Sequence, residues 1–63
     1  MRKLNDRIYI LQRSNLNEEL QDRIQKADKL FLQDKNSKAE KIVSEIEKEC
    51  KEKDIKLFNP EGF

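Results

Sequence analysis

Cys50 is the one side chain in this 63-residue sequence equipped to act as a nucleophile. A thiol attacks as its thiolate, and that form needs a nearby base or cation, or a second thiol to resolve the product. The sequence holds no His and no second Cys. Cys50 follows Ile46 by four residues on what reads as an apolar helix face, so it is expected to be a buried structural thiol. The 13 acidic side chains could pair for acid–base work, but they alternate with lysines at helix-surface spacings. A solvated, salt-bridged face accounts for them. A Ca²⁺ or Mg²⁺ loop clusters its carboxylates around a glycine, and Asp34-Lys35-Asn36 is too short for that. A histidine-bearing zinc site is excluded. Gly62 is the only glycine, which leaves no phosphate-cradling loop. The expectation is a non-enzymatic chain with no metal and no cofactor.

The elements that position these residues must fit in one small domain. A chain this short buries only about 60% of the surface that its unfolded form exposes. Its core supplies no more than ~3–5 kcal/mol without a staple. One cysteine rules out a disulfide, so the expectation is that the core is completed by oligomerisation or by a protein partner. Net charge is +1, which gives no global attraction to nucleic acid or membrane. The distribution is uneven: residues 1–15 carry +3, and residues 16–36 and 37–63 carry −1 each. No apolar run approaches the ~18 residues that span a bilayer, and the N-terminus lacks the apolar core of a secretory signal. With a lone cysteine fitting a reducing compartment, the expected location is cytoplasmic, with no membrane contact.

Leu16, Leu20, Ile24, Ala27 and Phe31 recur at spacings of four, four, three and four, which is one face of an amphipathic helix over about 17–33. Asn15 or Asn17 can cap it, and Glu19–Arg23 and Asp22–Lys26 brace the outer face. Asn36 is the residue expected to end it, in the left-handed conformation. Ser37-Lys38-Ala39-Glu40 then has the form of a capping box. Ala39, Ile42, Val43, Ile46 and Cys50 make the second stripe, on a helix over about 38–53, with Glu47–Lys51 and Glu49–Lys53 outside it. So short a connection makes an antiparallel hairpin. Leu30-Phe31-Leu32 facing Ala39, Ile42 and Val43 resembles the corner of helical-repeat hairpins such as tetratricopeptide units. The single copy lacks their glycine and aromatic signatures, so no repeat-protein function follows.

The opening stretch, Leu4 to Leu11, reads two ways. As a strand, Ile8-Tyr9-Ile10 is β-branched and aromatic. The order strand, helix, turn, helix then resembles ribbon-helix-helix DNA-binding dimers. That resemblance implies a two-stranded ribbon in the major groove, with Arg7, Tyr9, Leu11 and Arg13 outward, Ile8, Ile10 and Gln12 inward, and Asn36-Ser37 at a phosphate-contacting helix start. It makes Arg2, Lys3, Arg7 and Arg13 the nucleic-acid contacts. The pattern departs from the family at Leu11, which would face DNA, and at Gln12, which would face the core. The segment linking ribbon to helix is also about one turn too long.

As a helix, residues 4–8 (LNDRI) echo residues 20–24 (LQDRI), and Leu4, Ile8 and Leu11 form a stripe. A lone strand would leave its own backbone groups unpaired. The helical reading, over about 2–13, is therefore the main one, with a break at Ser14-Asn15.

The expected architecture is thus all-α: an antiparallel helical hairpin preceded by a short N-terminal helix, making a domain over 1–54, with a tail over 55–63. Leu4, Ile8, Leu11, Leu20, Ile24, Phe31, Ile42 and Ile46 are expected to carry the burial. The tail, with Ile55, Leu57, Phe58 and Phe63 around an Asn59-Pro60 turn, either frays or docks. Tyr9 and Ile10 lie off the Leu4–Ile8–Leu11 stripe. Together with Leu57 and Phe58 they are the expected partner contacts of a small interaction module, a regulator, adaptor or inhibitor working through a helical surface.

Overall fold

The computed structural model describes residues 3–59. It contains three helices, α1 (Leu4–Arg13), α2 (Glu18–Leu32) and α3 (Asn36–Glu52), and no strand among the described residues. Residues 7–12 belong to α1, so the ribbon reading is corrected: the chain has helix where that family has its DNA-reading strand. Local β propensity at Ile8-Tyr9-Ile10 yields because Leu4, Ile8 and Leu11 bury together only at helical spacing.

Each boundary has a local cause. Lys3 precedes α1 in extended conformation, and its carbonyl accepts the first helical bond from Arg7 N–H at 3.0 Å. Ser14 ends α1 in extended backbone, and it opens a four-residue connection that closes at Asn17. The Asn17 Oδ1 accepts from Leu20 N–H at 2.9 Å, so of the two candidate caps, Asn15 and Asn17, it is Asn17 that serves. Glu18 and Glu19 then complement the dipole of the first turn.

The α2–α3 turn departs from expectation. The left-handed residue is Asp34, at φ 64°, not Asn36. Lys35 N–H bonds to the Leu30 carbonyl at 2.8 Å and Asp34 N–H to that of Phe31 at 3.0 Å, which is a Schellman closure. The closure aims the chain directly into α3, so Asn36 is its first residue and Ser37 its second. Ser37 is thereby too far inside for its hydroxyl to cap, and the capping box is not formed. Lys35 stands at the N-cap without a side-chain bond.

The core is one cluster. Ile8 and Leu11 of α1, Leu16 of the connection, Leu20, Ile24 and Ala27 of α2, and Val43, Ile46 and Cys50 of α3 are all buried in it. Leu4, Phe31, Ile42, Ile55 and Leu57 pack around its edge. Each large aliphatic so placed contributes about 1.5–3 kcal/mol against exposure. Ala27 and Ala39 are fully buried at the turn end of the hairpin, where small side chains let two helices approach closely. Val43 takes the central position expected of Ile42. Leu32 does not face α3: it is 75% exposed, because one residue beyond Phe31 the helix has turned about 100° off the stripe.

Candidate interaction surface

The tail docks. At the end of α3 a second Schellman closure mirrors the first: Asp54 is left-handed at φ 56°, and Ile55 N–H bonds to the Cys50 carbonyl at 2.8 Å. The chain therefore reverses onto the body of the protein. Ile55 and Leu57 turn inward against the core and Lys56 turns outward, an extended alternation.

Ser14 fastens the segment. Its hydroxyl donates to the Ile10 carbonyl at 2.7 Å and accepts from Phe58 N–H at 2.9 Å. At 6% exposure it is the one buried polar side chain among the described residues, and both of its hydrogen-bonding roles are used. A buried hydroxyl left unpaired costs about 1–3 kcal/mol, so the clip keeps Ser14 compatible with burial.

This docking brings three sequence-distant groups together. The Phe58 ring meets Tyr9 edge-on, centroids 6.2 Å apart and planes at 76°. Arg13 follows Tyr9 by one helical turn, and its guanidinium carbon lies 5.3 Å from the Tyr9 centroid and 5.8 Å from that of Phe58. Edge-on aromatic pairs and guanidinium–ring contacts each add about 0.5–1.5 kcal/mol at accessible sites. Tyr9 is 46% exposed and Arg13 is exposed, so the cluster is open to solvent.

The four expected partner contacts thus separate. Tyr9 and the half-buried Phe58 form the accessible face. Ile10 is buried within the chain, and Leu57 packs against its core. The expected nucleic-acid set separates as well. Arg2 lies outside the described residues, as do Pro60 and Phe63, and Lys3 is exposed before α1.

Arg7 is committed to α3: its Nε donates to Glu47 Oε2 at 3.1 Å, its Nη2 donates to Glu47 Oε1, and Nη2 also reaches Ser44 Oγ at 3.2 Å. Glu40 stands 3.7 Å from Nη1. The fork onto Glu47 is bidentate. The hydrogen bonds that Arg7 donates to Glu47 hold its proton more tightly than usual, outweighing partial burial, so its pKa is raised. Glu47 accordingly serves α1 and does not simply brace Lys51. Of the expected surface pairs, Arg23–Glu19 at 3.0 Å and Lys53–Glu49 at 3.6 Å are present.

Two features escaped sequence reading. The Ser14 clip and the Arg7–Glu47 fork join residues 44 and 40 positions apart, and neither residue type marks such a partner in advance. Cys50 is buried as expected, and burial pushes its thiol pKa up, so the less nucleophilic protonated form is favoured. Between α1 and α2 a shallow depression of about 360 Å³ is lined by Gln12, Gln21, Ile24 and Gln25. Its polar groups are carboxamides, which neither titrate nor attack, and Gln21 Nε2 already donates to the Leu16 carbonyl at 2.9 Å. Among the described residues no group of three or more acidic or Cys side chains is placed to hold a metal ion. No described helix is long and apolar enough to cross a membrane. Comparison of the chain with protein-family models, with curated proteins and with solved structures finds no match.

Proposed function

We propose that this chain is a small non-enzymatic interaction module, a cytoplasmic regulator, adaptor or inhibitor that docks a protein through a helical surface. The observation that carries the reading is the Tyr9–Arg13–Phe58 cluster. Tyr and Arg are among the side chains most enriched where interfaces draw their energy. Here their rotamer freedom is already restricted by one another, which lowers the entropy lost when a partner covers them. Ser14 and the inward Ile55 and Leu57 hold the third member in place.

The reading is tested by placing a photo-crosslinking phenylalanine analogue at position 9 in the source cell, with the same analogue at the exposed α3 position 48 as control. A discrete crosslinked species from position 9, lost with Arg13→Glu and absent from position 48, is the expected result. No species from position 9, or equal yields from both positions, overturns the assignment of this face.

A further inference from the structure

We infer that the Tyr9–Arg13–Phe58 face takes an acidic segment of a protein partner, with the Arg13 guanidinium gripping the carboxylate of an Asp or Glu side chain. The inference rests on the reading of this face as a contact surface, and it names the chemistry of what the face contacts. It begins with a difference among the described arginines. Arg7 is paired with Glu47 and Glu40, and Arg23 with Glu19. Arg13 has two aromatic rings beside it and no carboxylate or other hydrogen-bond acceptor among the described residues. The rings attract its charge but leave its planar N–H fork without an acceptor. A carboxylate fits that fork bidentately, in two parallel hydrogen bonds.

The charges around the cluster have the sign that such an occupant needs. Lys56 is exposed two residues before Phe58, and in an extended segment residues two apart share a side. Asp6 is the acidic residue of α1, and it lies about two turns, ~10 Å, before Arg13. It therefore leaves the Arg13 end of the face positive. A single-stranded nucleic acid could stack on the same rings, but it also needs a track of cations for successive phosphates. Arg7 is committed to Glu47, and Lys3 lies about 15 Å from Arg13 along α1. An open guanidinium with a lysine nearby matches side-chain carboxylates and not a phosphate backbone. An apolar residue beside the partner's carboxylate would then cover the exposed Tyr9 ring.

The test titrates the full isotope-labelled chain with acetyl-Glu-Phe-Glu-amide, with its uncharged isostere acetyl-Gln-Phe-Gln-amide, and with a short oligothymidylate. NMR reads the Arg13 Nε–H signal and the ring protons of Tyr9 and Phe58. The acidic peptide is expected to move all of these signals and to bind about tenfold tighter than the uncharged one. That difference should shrink as salt is raised. On Arg13→Gln the acidic peptide should bind no better than the uncharged one. The two peptides are compared first on the wild type, so a tail loosened by the substitution does not remove the test. Equal binding of the two peptides, tighter binding of the oligothymidylate, or an Arg13 signal that does not move overturns the carboxylate partner. Each of these outcomes leaves a crosslink from position 9 standing, so the two readings fail separately.

Discussion

Between α2 and α3 the fully buried side chains are apolar or Cys: Leu20, Ile24, Ala27, Ala39, Val43, Ile46 and Cys50. Along the edge where α1 and the tail meet the rest, the apolar burial of Ile8 and Leu11 is joined by directional contacts that fix position. They are the Arg7–Glu47 fork, the Ser14 clip and the ring–guanidinium cluster. Apolar burial is non-directional and scales with area, so it supplies stability without fixing a unique orientation. Hydrogen bonds and bidentate pairs contribute less net energy but demand one geometry. The hairpin therefore supplies the cohesion of this chain, and the edge supplies the placement of its exposed aromatic face.

The comparison breaks first at the core. Ile46→Ala or Leu20→Ala removes a fully buried aliphatic, at a cost of about 2–5 kcal/mol. That rivals the whole reserve of ~3–5 kcal/mol open to a domain of this size, so urea titration followed by circular dichroism should show no cooperative folded baseline. A mild shift of the midpoint would mean that the edge carries far more of the stability than its contacts suggest.

Ser14→Ala should cost about 1–3 kcal/mol and act locally. Hydrogen exchange at the Phe58 amide should lose protection while amides of α2 and α3 keep theirs. Equal loss in the hairpin would erase the distinction between the two regions. Glu47→Gln is smaller, about 1 kcal/mol, because the fork is only partly buried. The gap between variant and wild type should narrow as salt is raised; a salt-independent gap would point to packing as the cause.

Near neutral pH the smallest effect belongs to Cys50. Its thiol pKa is raised in the folded state above the ordinary 9.0, so the unfolded chain deprotonates first. Stability is then fully present below pH 9 and declines as pH rises through and beyond it, since the folded state binds the extra proton. Cys50→Ala should remove that part of the alkaline decline while costing stability at every pH. An unchanged alkaline slope would assign the decline to other groups.

The hairpin was the legible region. Leu16, Leu20, Ile24 and Ala27, then Val43, Ile46 and Cys50, announce two helices because burial repeats at the helical period. The break at Ser14 was legible for a different reason: Ser and Asn compete with helical hydrogen bonds. What misled was turn chemistry. Asn36 and the Ser37–Glu40 pair have the residue types of a stop and a start, but counting from the last buried turn puts the left-handed position at Asp34, and the closure leaves Ser37 inside the helix. The candidate surface was half legible. Tyr9 stood off the stripe and is exposed, but Ile10 beside it is buried. The grouping of Tyr9 and Arg13 with Phe58 needed a reversal at Asp54, which no glycine announces.

The uneven span of these contacts also sets a sequence of events. The hairpin closes across three residues, whereas the fork and the clip join positions 40 and 44 apart. Closing a loop costs more entropy as it lengthens, and chains governed by local contacts fold fastest. The hairpin is thus placed to act as the nucleus, with α1 and the tail latching onto it after the rate-limiting step. Replacing Ile46 should slow folding, whereas replacing Ser14 should leave the folding rate almost unchanged and hasten unfolding. The aromatic face would then be the last part of the molecule to assemble and the first to open.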